Sequence, residues 1–203
     1  MRFSKVFGIG LPKTGTTTLS TMFKELDLNH APYDLNLIHS IAKGSISGTH
    51  EFIERYDSFE DWPWPVLWHE LVKRYPDAGF ILTVRSTDRT WLNSLQKHTD
   101  RNPSLESTAL RKKFFGAVDP WTEDAVFLEH YKRHNNAIRD LLGSSPNFLE
   151  ACWEHGDGWD CVTEFLGVDS VSKTVPHSNK KPDPVSLILR RTKKIIKSAR
   201  RKT

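Results

Sequence analysis

The chain has 203 residues, 37% hydrophobic and 27% charged, which fits one soluble globular domain with room for a tail and excludes a disordered or fibrous chain. It contains no apolar run near the ~20 residues of a membrane span, and its two cysteines, Cys152 and Cys161, exclude a disulfide framework and are expected as reduced thiols in a cytosolic protein. The net charge of +4 belongs to the end of the chain: from Pro184 onward there are eight Lys and Arg and no acid, so removing them leaves the body at −4, which does not support a nucleic-acid-binding body.

The first element expected is a short buried strand at Lys5–Gly10, entered at once and leaving no room for a signal peptide. Leu19, Met22, Phe23 and Leu26 recur at spacings of three and four, which predicts a helix over Gly15–Leu26 with one buried face. Helices are expected at Leu35–Ala42 and Pro65–Arg74. Ala78–Val84 is a continuous apolar run, suited to a central parallel strand covered on both faces. A helix over Asp88–Lys97 should follow, then helical stretches at Lys112–Phe115 and Glu123–Leu142. Asn147–Cys152 reads as a third strand and Trp159–Leu166 as a last helix, with Ser170–Asp183 closing the body. Strands alternating with helices imply an α/β fold in three layers, a central parallel sheet flanked by helices. The domain spans 1–183, and 184–203 is a basic amphipathic or disordered tail. Seven Trp need a thick core or an aromatic-lined cleft.

Between the first strand and helix lies Gly10-Leu11-Pro12-Lys13-Thr14-Gly15-Thr16-Thr17-Thr18. A loop at this place turns backbone N–H groups toward one point, and the helix N-terminus adds about half a positive charge, so the pair grips an anion. Gly10 and Gly15 have the spacing of the nucleotide-binding loop G-x4-G-K-[ST], and Thr17 takes the place of its Ser/Thr. The Lys does not match: Thr16 stands in its position and Lys13 lies three residues earlier, inside the loop.

This segment, Gly10 to Leu19, resembles the 5′-phosphosulfate loop of the sulfotransferases, a P-loop-like fold family whose donor is 3′-phosphoadenosine 5′-phosphosulfate (PAPS). The resemblance implies that Lys13 meets the bridging oxygen and sulfuryl group, while Pro12, Thr14, Gly15, Thr16, Thr17 and Thr18 supply the rest of the donor cradle. It also implies an anchor for the 3′-phosphate. Arg85 ends the apolar strand, where open α/β sheets bind ligands, and its guanidinium suits a phosphate. The family has a Ser eight residues after this Arg; here the eighth residue is Asn93 and Ser94 is the ninth. Tyr56–Pro63, Gly156–Trp159 and Pro176–Lys180 resemble segments of a bacterial branch, so the likeness runs from about residue 5 to 181. His177, Asn179 and Lys180 are thereby candidates to cover the adenosine or its 3′-phosphate, a structural loop being the alternative.

Sulfuryl transfer needs a base and a cation for the leaving oxygen. Lys13 is the expected cation, and no metal is expected. The resemblance places an acid at Asp61, for which a helix cap is the other reading; His69 is second, against a plain surface histidine. His130 and His134, four apart on a helix, read as a solvated face rather than a zinc pair. Trp62, Trp64 and Trp68 fit either an acceptor pocket or the core. The acceptor expected is a small molecule, lipid or saccharide bearing a hydroxyl or amine. The tail could touch an anionic membrane surface. A kinase using a P-loop, or a nonenzymatic nucleotide-binding module at a membrane, are the rival readings.

Overall fold

Three of the four strands form on short, largely apolar segments, the last interrupted by exposed Glu150. In the computed structural model, which describes residues 1–169 together with Thr174 and Val175, these are β1 (Val6–Gly8), β3 (Gly79–Thr83) and β4 (Phe148–Ala151). The fourth, β2, is only Ser58–Phe59. The sheet order is β2-β1-β3-β4 and every pairing is parallel. The fold is therefore α/β as expected, with an added short strand at one edge.

Side chains alternate across the pleat, and this sorts the core into two faces. Phe7, Ile9, Phe80 and Leu82 point to one face, where Trp64, Leu67, Trp68 and Leu71 of α4 (Trp64–Arg74) and Ile138 and Leu142 of α7 (Asp124–Leu142) cover them. Val6 and Ile81 point to the other, against Leu19, Met22 and Phe23 of α1 (Thr16–Glu25) and Val162 and Leu166 of α8 (Trp159–Leu166). Burying each such side chain contributes roughly 1.5–3 kcal/mol. Trp64 and Trp68 thus belong to the core, Trp64 edge-on to Phe59 at 4.8 Å.

A third cluster forms beyond the carboxyl ends of the strands. Leu11 packs there with Trp91, Leu92 and Leu95 of α5 (Asp88–Arg101), Phe115 of α6 (Leu105–Phe115), and Phe127 and Tyr131 of α7. The remaining helices are α2 (Leu35–Ala42) and α3 (Thr49–Ile53). The expected Lys112–Phe115 helix starts earlier, at Leu105, because Ser104 caps it by accepting from the Ser107 N–H at 3.0 Å. Among the described residues no helix is long and apolar enough to cross a membrane. Both cysteines are free thiols.

The chain leaves β1 toward β2 on one side and returns to β3 on the other. The loop after β1 therefore lies at the point where strand order reverses, the crevice in which open α/β sheets hold ligands.

Candidate functional site

The loop Gly10–Gly15 is held from four directions. His134, on α7, donates from Nε2 to the Ile9 carbonyl at 2.8 Å. Burial, chiefly, pushes this histidine down to about 4, so it stays neutral. The solvated face expected for His134 is thus corrected: it is buried beneath the loop, while half-buried His130 meets the edge of Phe115. Trp91 donates from Nε1 to the Pro12 carbonyl at 2.9 Å. Thr14 is wholly buried; its hydroxyl donates to the Leu11 carbonyl at 2.7 Å and accepts from Thr83 at 2.6 Å. Thr14 therefore ties the loop to β3 with its side chain and offers a ligand only its backbone.

Trp153, just after β4, supplies the fourth hold. Its indole donates to the Gly15 carbonyl at 3.2 Å and lies so close that a Cβ on Gly15 would meet it at 2.2 Å. Gly15 also has φ +102°, so both space and backbone require glycine there. It is the N-cap of α1 and offers no side chain, and the first turn of α1 holds no acid. The helix N-terminus is thus left without a side-chain cap or an acid, as suits an anion.

Lys13 and Asp61 flank this terminus. Among the described residues three non-glycines have positive φ, and two are Lys13 (75°) and Asp61 (61°). Such backbones cost roughly 1–2 kcal/mol and persist where the surroundings enforce them. The Lys13 ammonium donates to His98 Nδ1 at 3.3 Å. Desolvation pulls its pKa down, Asp61 pulls it up, and Arg101 and Arg85 lower it further. The Asp61 carboxylate accepts from the Thr16 hydroxyl at 3.2 Å and from the Trp62 N–H at 2.8 Å. Burial first, then neighbouring Glu60, raises it to about 6. A carboxyl so shifted changes protonation near neutrality and can carry a proton.

Arg85 follows β3. Its backbone N–H donates to the Tyr131 hydroxyl at 3.0 Å, and Tyr131 stacks on Trp91 at 4.4 Å. Its Nη1 pairs with Glu154 at 3.3 Å, while Nε is buried with no protein partner among the described residues. A buried guanidinium N–H without a partner suits an incoming anion. The other oxygen of Glu154 accepts from the Ser86 N–H at 2.8 Å. Trp153 and Glu154 are consecutive, so one short turn of 3₁₀ helix, Trp153–His155, braces both the loop and the Arg85 segment.

On α5, at ~100° per residue, Trp91, Ser94 and His98 share the face turned to the loop. Ser94 is half-buried there and Asn93 is exposed on the opposite side. Thr16 is buried and Thr17 exposed, both in the first turn of α1. His69 is exposed on α4, its ring stacked on Trp68 at 3.6 Å. His177, Asn179, Lys180 and the tail 184–203 lie outside the described residues. A surface hollow of about 430 Å³ opens beside Phe115 and α7; its lining includes neither the loop nor Asp61 nor Arg85.

Sequence reading missed His98, His134, Trp153 and Glu154. His98 carried a signal, lying two turns beyond Trp91, and Trp153-Glu154 lie at the carboxyl end of a parallel strand. His134 carried none that separates burial from exposure.

A helix N-terminus with a Lys in its loop, a titratable acid beside it and a second cation one strand away is an arrangement that could serve group transfer. Comparison with known proteins gives the family. The chain is 28% identical over 213 residues to the Aspergillus versicolor protein named Ava biosynthesis cluster protein M, covering 85% of this chain and 80% of that one. Residues 5–183 match the family described as "Sulfotransferase domain". The chain belongs to the sulfotransferase domain family.

Proposed function

We propose that the chain moves a sulfuryl group from PAPS to a hydroxyl or amine acceptor by in-line transfer. The observation that carries this reading is the placement of Lys13 and Asp61 on either side of Thr16 at the N-terminus of α1, each held in a left-handed backbone. In this reading the N-terminus of α1, with Thr16 and Thr17, holds the 5′-phosphate, and Lys13 faces the bridging oxygen. Arg85 takes the 3′-phosphate with its unpaired Nε, and Ser94, on the face shared with Trp91, adds a hydroxyl.

Asp61 is the base. Its carboxylate takes the acceptor proton, the acceptor oxygen or nitrogen bonds to sulfur, and the bond from sulfur to the bridging oxygen breaks. The electron pair stays on that oxygen, where Lys13 stabilises it. The relative named for a biosynthesis cluster is in keeping with a small-molecule acceptor. Placing the cation within the loop, rather than after Gly15, argues against a kinase.

Thermal shift with adenosine 3′,5′-bisphosphate against ATP with magnesium tests the donor. Stabilisation by the bisphosphate is expected; stabilisation by ATP–magnesium alone overturns the reading. Transfer of label from radiolabelled PAPS to an acceptor panel tests the reaction itself.

A further inference from the structure

Resting on the sulfuryl-transfer reading, we infer that the acceptor is an uncharged phenol, its ring received by the aromatic wall that Tyr33, Trp62 and Phe114 build around Asp61.

Trp62 follows Asp61 directly. Its indole stacks on Phe114 of α6 at 4.6 Å and 24°, and meets Phe115 edge-on at 5.7 Å and 71°. Phe115 is buried in the core, whereas Trp62 and Phe114 are only half-buried, so the stacked pair keeps part of its surface open beside the carboxylate. Tyr33 approaches from the segment before α2 and is 60% exposed. Burial first, then the negative charges of Asp61 and Glu106, hold its hydroxyl above the ordinary value, so both carboxylates lie near it. Aromatic surface thus gathers at Asp61 from Trp62, which follows it, with Phe114 stacked behind and Tyr33 close enough to feel its charge, and stacking is what such surface offers a flat ring.

The charges divide in the same way. Lys13, Arg85, Arg101 and His98 lie on the side of the loop and α5. The acceptor side carries Glu60, with His30 at 3.7 Å, Asp61, and Glu106, with His39 of α2 at 3.0 Å; Arg111 of α6 is held on the Val118 carbonyl at 2.7 Å. A carboxylated, sulfated or phosphorylated acceptor would meet like charge on a partly desolvated wall, and an uncharged one would not.

Proton chemistry points the same way. A carboxylate near 6 is a weak base. A phenol, at about 10, loses its proton to such a base far more readily than an alkanol, which holds its proton about as tightly as water at roughly 16. In the step, the phenol oxygen bonds to sulfur and its proton passes to Asp61. The bond between sulfur and the bridging oxygen breaks, its electron pair leaving with adenosine 3′,5′-bisphosphate.

The test uses the full chain, radiolabelled PAPS and three acceptors: 2-naphthol, 6-hydroxy-2-naphthoate and methyl glucoside. Binding of adenosine 3′,5′-bisphosphate is measured separately. Expected is sulfation of 2-naphthol, with kcat/KM about tenfold lower for the carboxylated ring and about a hundredfold lower for the glucoside. Trp62→Ala and Phe114→Ala should raise KM for 2-naphthol about tenfold at unchanged bisphosphate affinity, which also reports that they fold. Glu106→Gln should narrow the gap between the two naphthols severalfold. Bisphosphate binding together with preference for the glucoside or the carboxylated ring overturns the acceptor inference and leaves the donor reading standing. Failure to bind bisphosphate overturns both.

Discussion

The Thr16 hydroxyl donates to the Asp61 carboxylate at 3.2 Å, joining the N-terminus of α1 to the segment beyond β2 across 45 residues of sequence. This contact brings a carboxylate to the helix end that follows the Lys13 loop. It also forces a carboxyl into a place where burial and Glu60 oppose its charge.

Asp61→Asn should therefore remove turnover while leaving donor binding intact. Loss of a positioned base costs about 10²–10⁴-fold in rate. The amide oxygen can still accept from the Trp62 N–H, and the Thr16 hydroxyl can turn to accept from the amide nitrogen. Steady-state rates beside bisphosphate titration check this; near-normal turnover would remove Asp61 from the mechanism.

Two pH effects follow from the same carboxyl. As the proposed base it must be ionised, so kcat/KM should rise with pH through about 6. For stability the sign is opposite. The folded pKa lies above the unfolded one, so between about 4 and 6 the folded chain binds more protons, and stability falls as pH rises. At pH 8, Asp61→Asn should melt a few degrees above the natural chain, an increment of order 1 kcal/mol. A lower melting temperature for the variant at pH 8 would contradict the burial argument.

His134 works the other way. Its folded pKa, about 4, lies below the unfolded value, so its contribution is fully present above about 6.5 and is lost as pH falls toward 4. The loss should reach on the order of 3 kcal/mol. His134→Gln, whose amide can still donate to the Ile9 carbonyl, should flatten this acid dependence. Urea midpoints at pH 7 and 4.5, compared between the two proteins, give the measurement.

Arg85→Ala should weaken adenosine 3′,5′-bisphosphate about 30-fold, the worth of a charged hydrogen-bonding group, and change adenosine 5′-phosphate affinity little. Ser94→Ala should cost about 3–10-fold toward the bisphosphate, and Asn93→Ala nothing measurable, because only Ser94 lies on the face with Trp91. Calorimetry with both nucleotides separates the cases; equal losses for Ser94 and Asn93 would argue against this face.

Gly15→Ala should be among the most damaging single changes in the loop. The added methyl would lie 2.2 Å from the Trp153 indole and the residue would keep φ +102°. A cost of about 1–3 kcal/mol is expected. Gly15→Ala combined with Trp153→Ala should recover the part due to the clash and keep the part due to the backbone. Thermal denaturation of the three proteins tests this division.

How far the sequence alone reaches is visible at particular residues. The apolar run Ala78–Val84, the helix spacing of Leu19, Met22 and Phe23, and the glycines around Lys13 are local patterns. Each is set by neighbours a few positions away, so the strand, the helix and the loop between them were readable, and with them the sulfotransferase likeness. Ser58–Phe59 was not readable as a strand, because two residues carry no period; pairing with β1 makes them one. The role of Thr14 was also hidden. In sequence it is one more hydroxyl of the loop, and only the approach of Thr83 turns it inward. His134, Trp153 and Glu154 meet the loop or the Arg85 segment from 125, 138 and 69 residues away, distances at which no pattern in the chain records a contact. The sequence by itself thus determined the strand, the loop with its internal Lys13, and the helix that follows. The tertiary structure decided that Asp61 lies beside that cation at a carboxyl pKa near 6, because that value comes from burial and from Glu60, and burial exists only once the elements have packed.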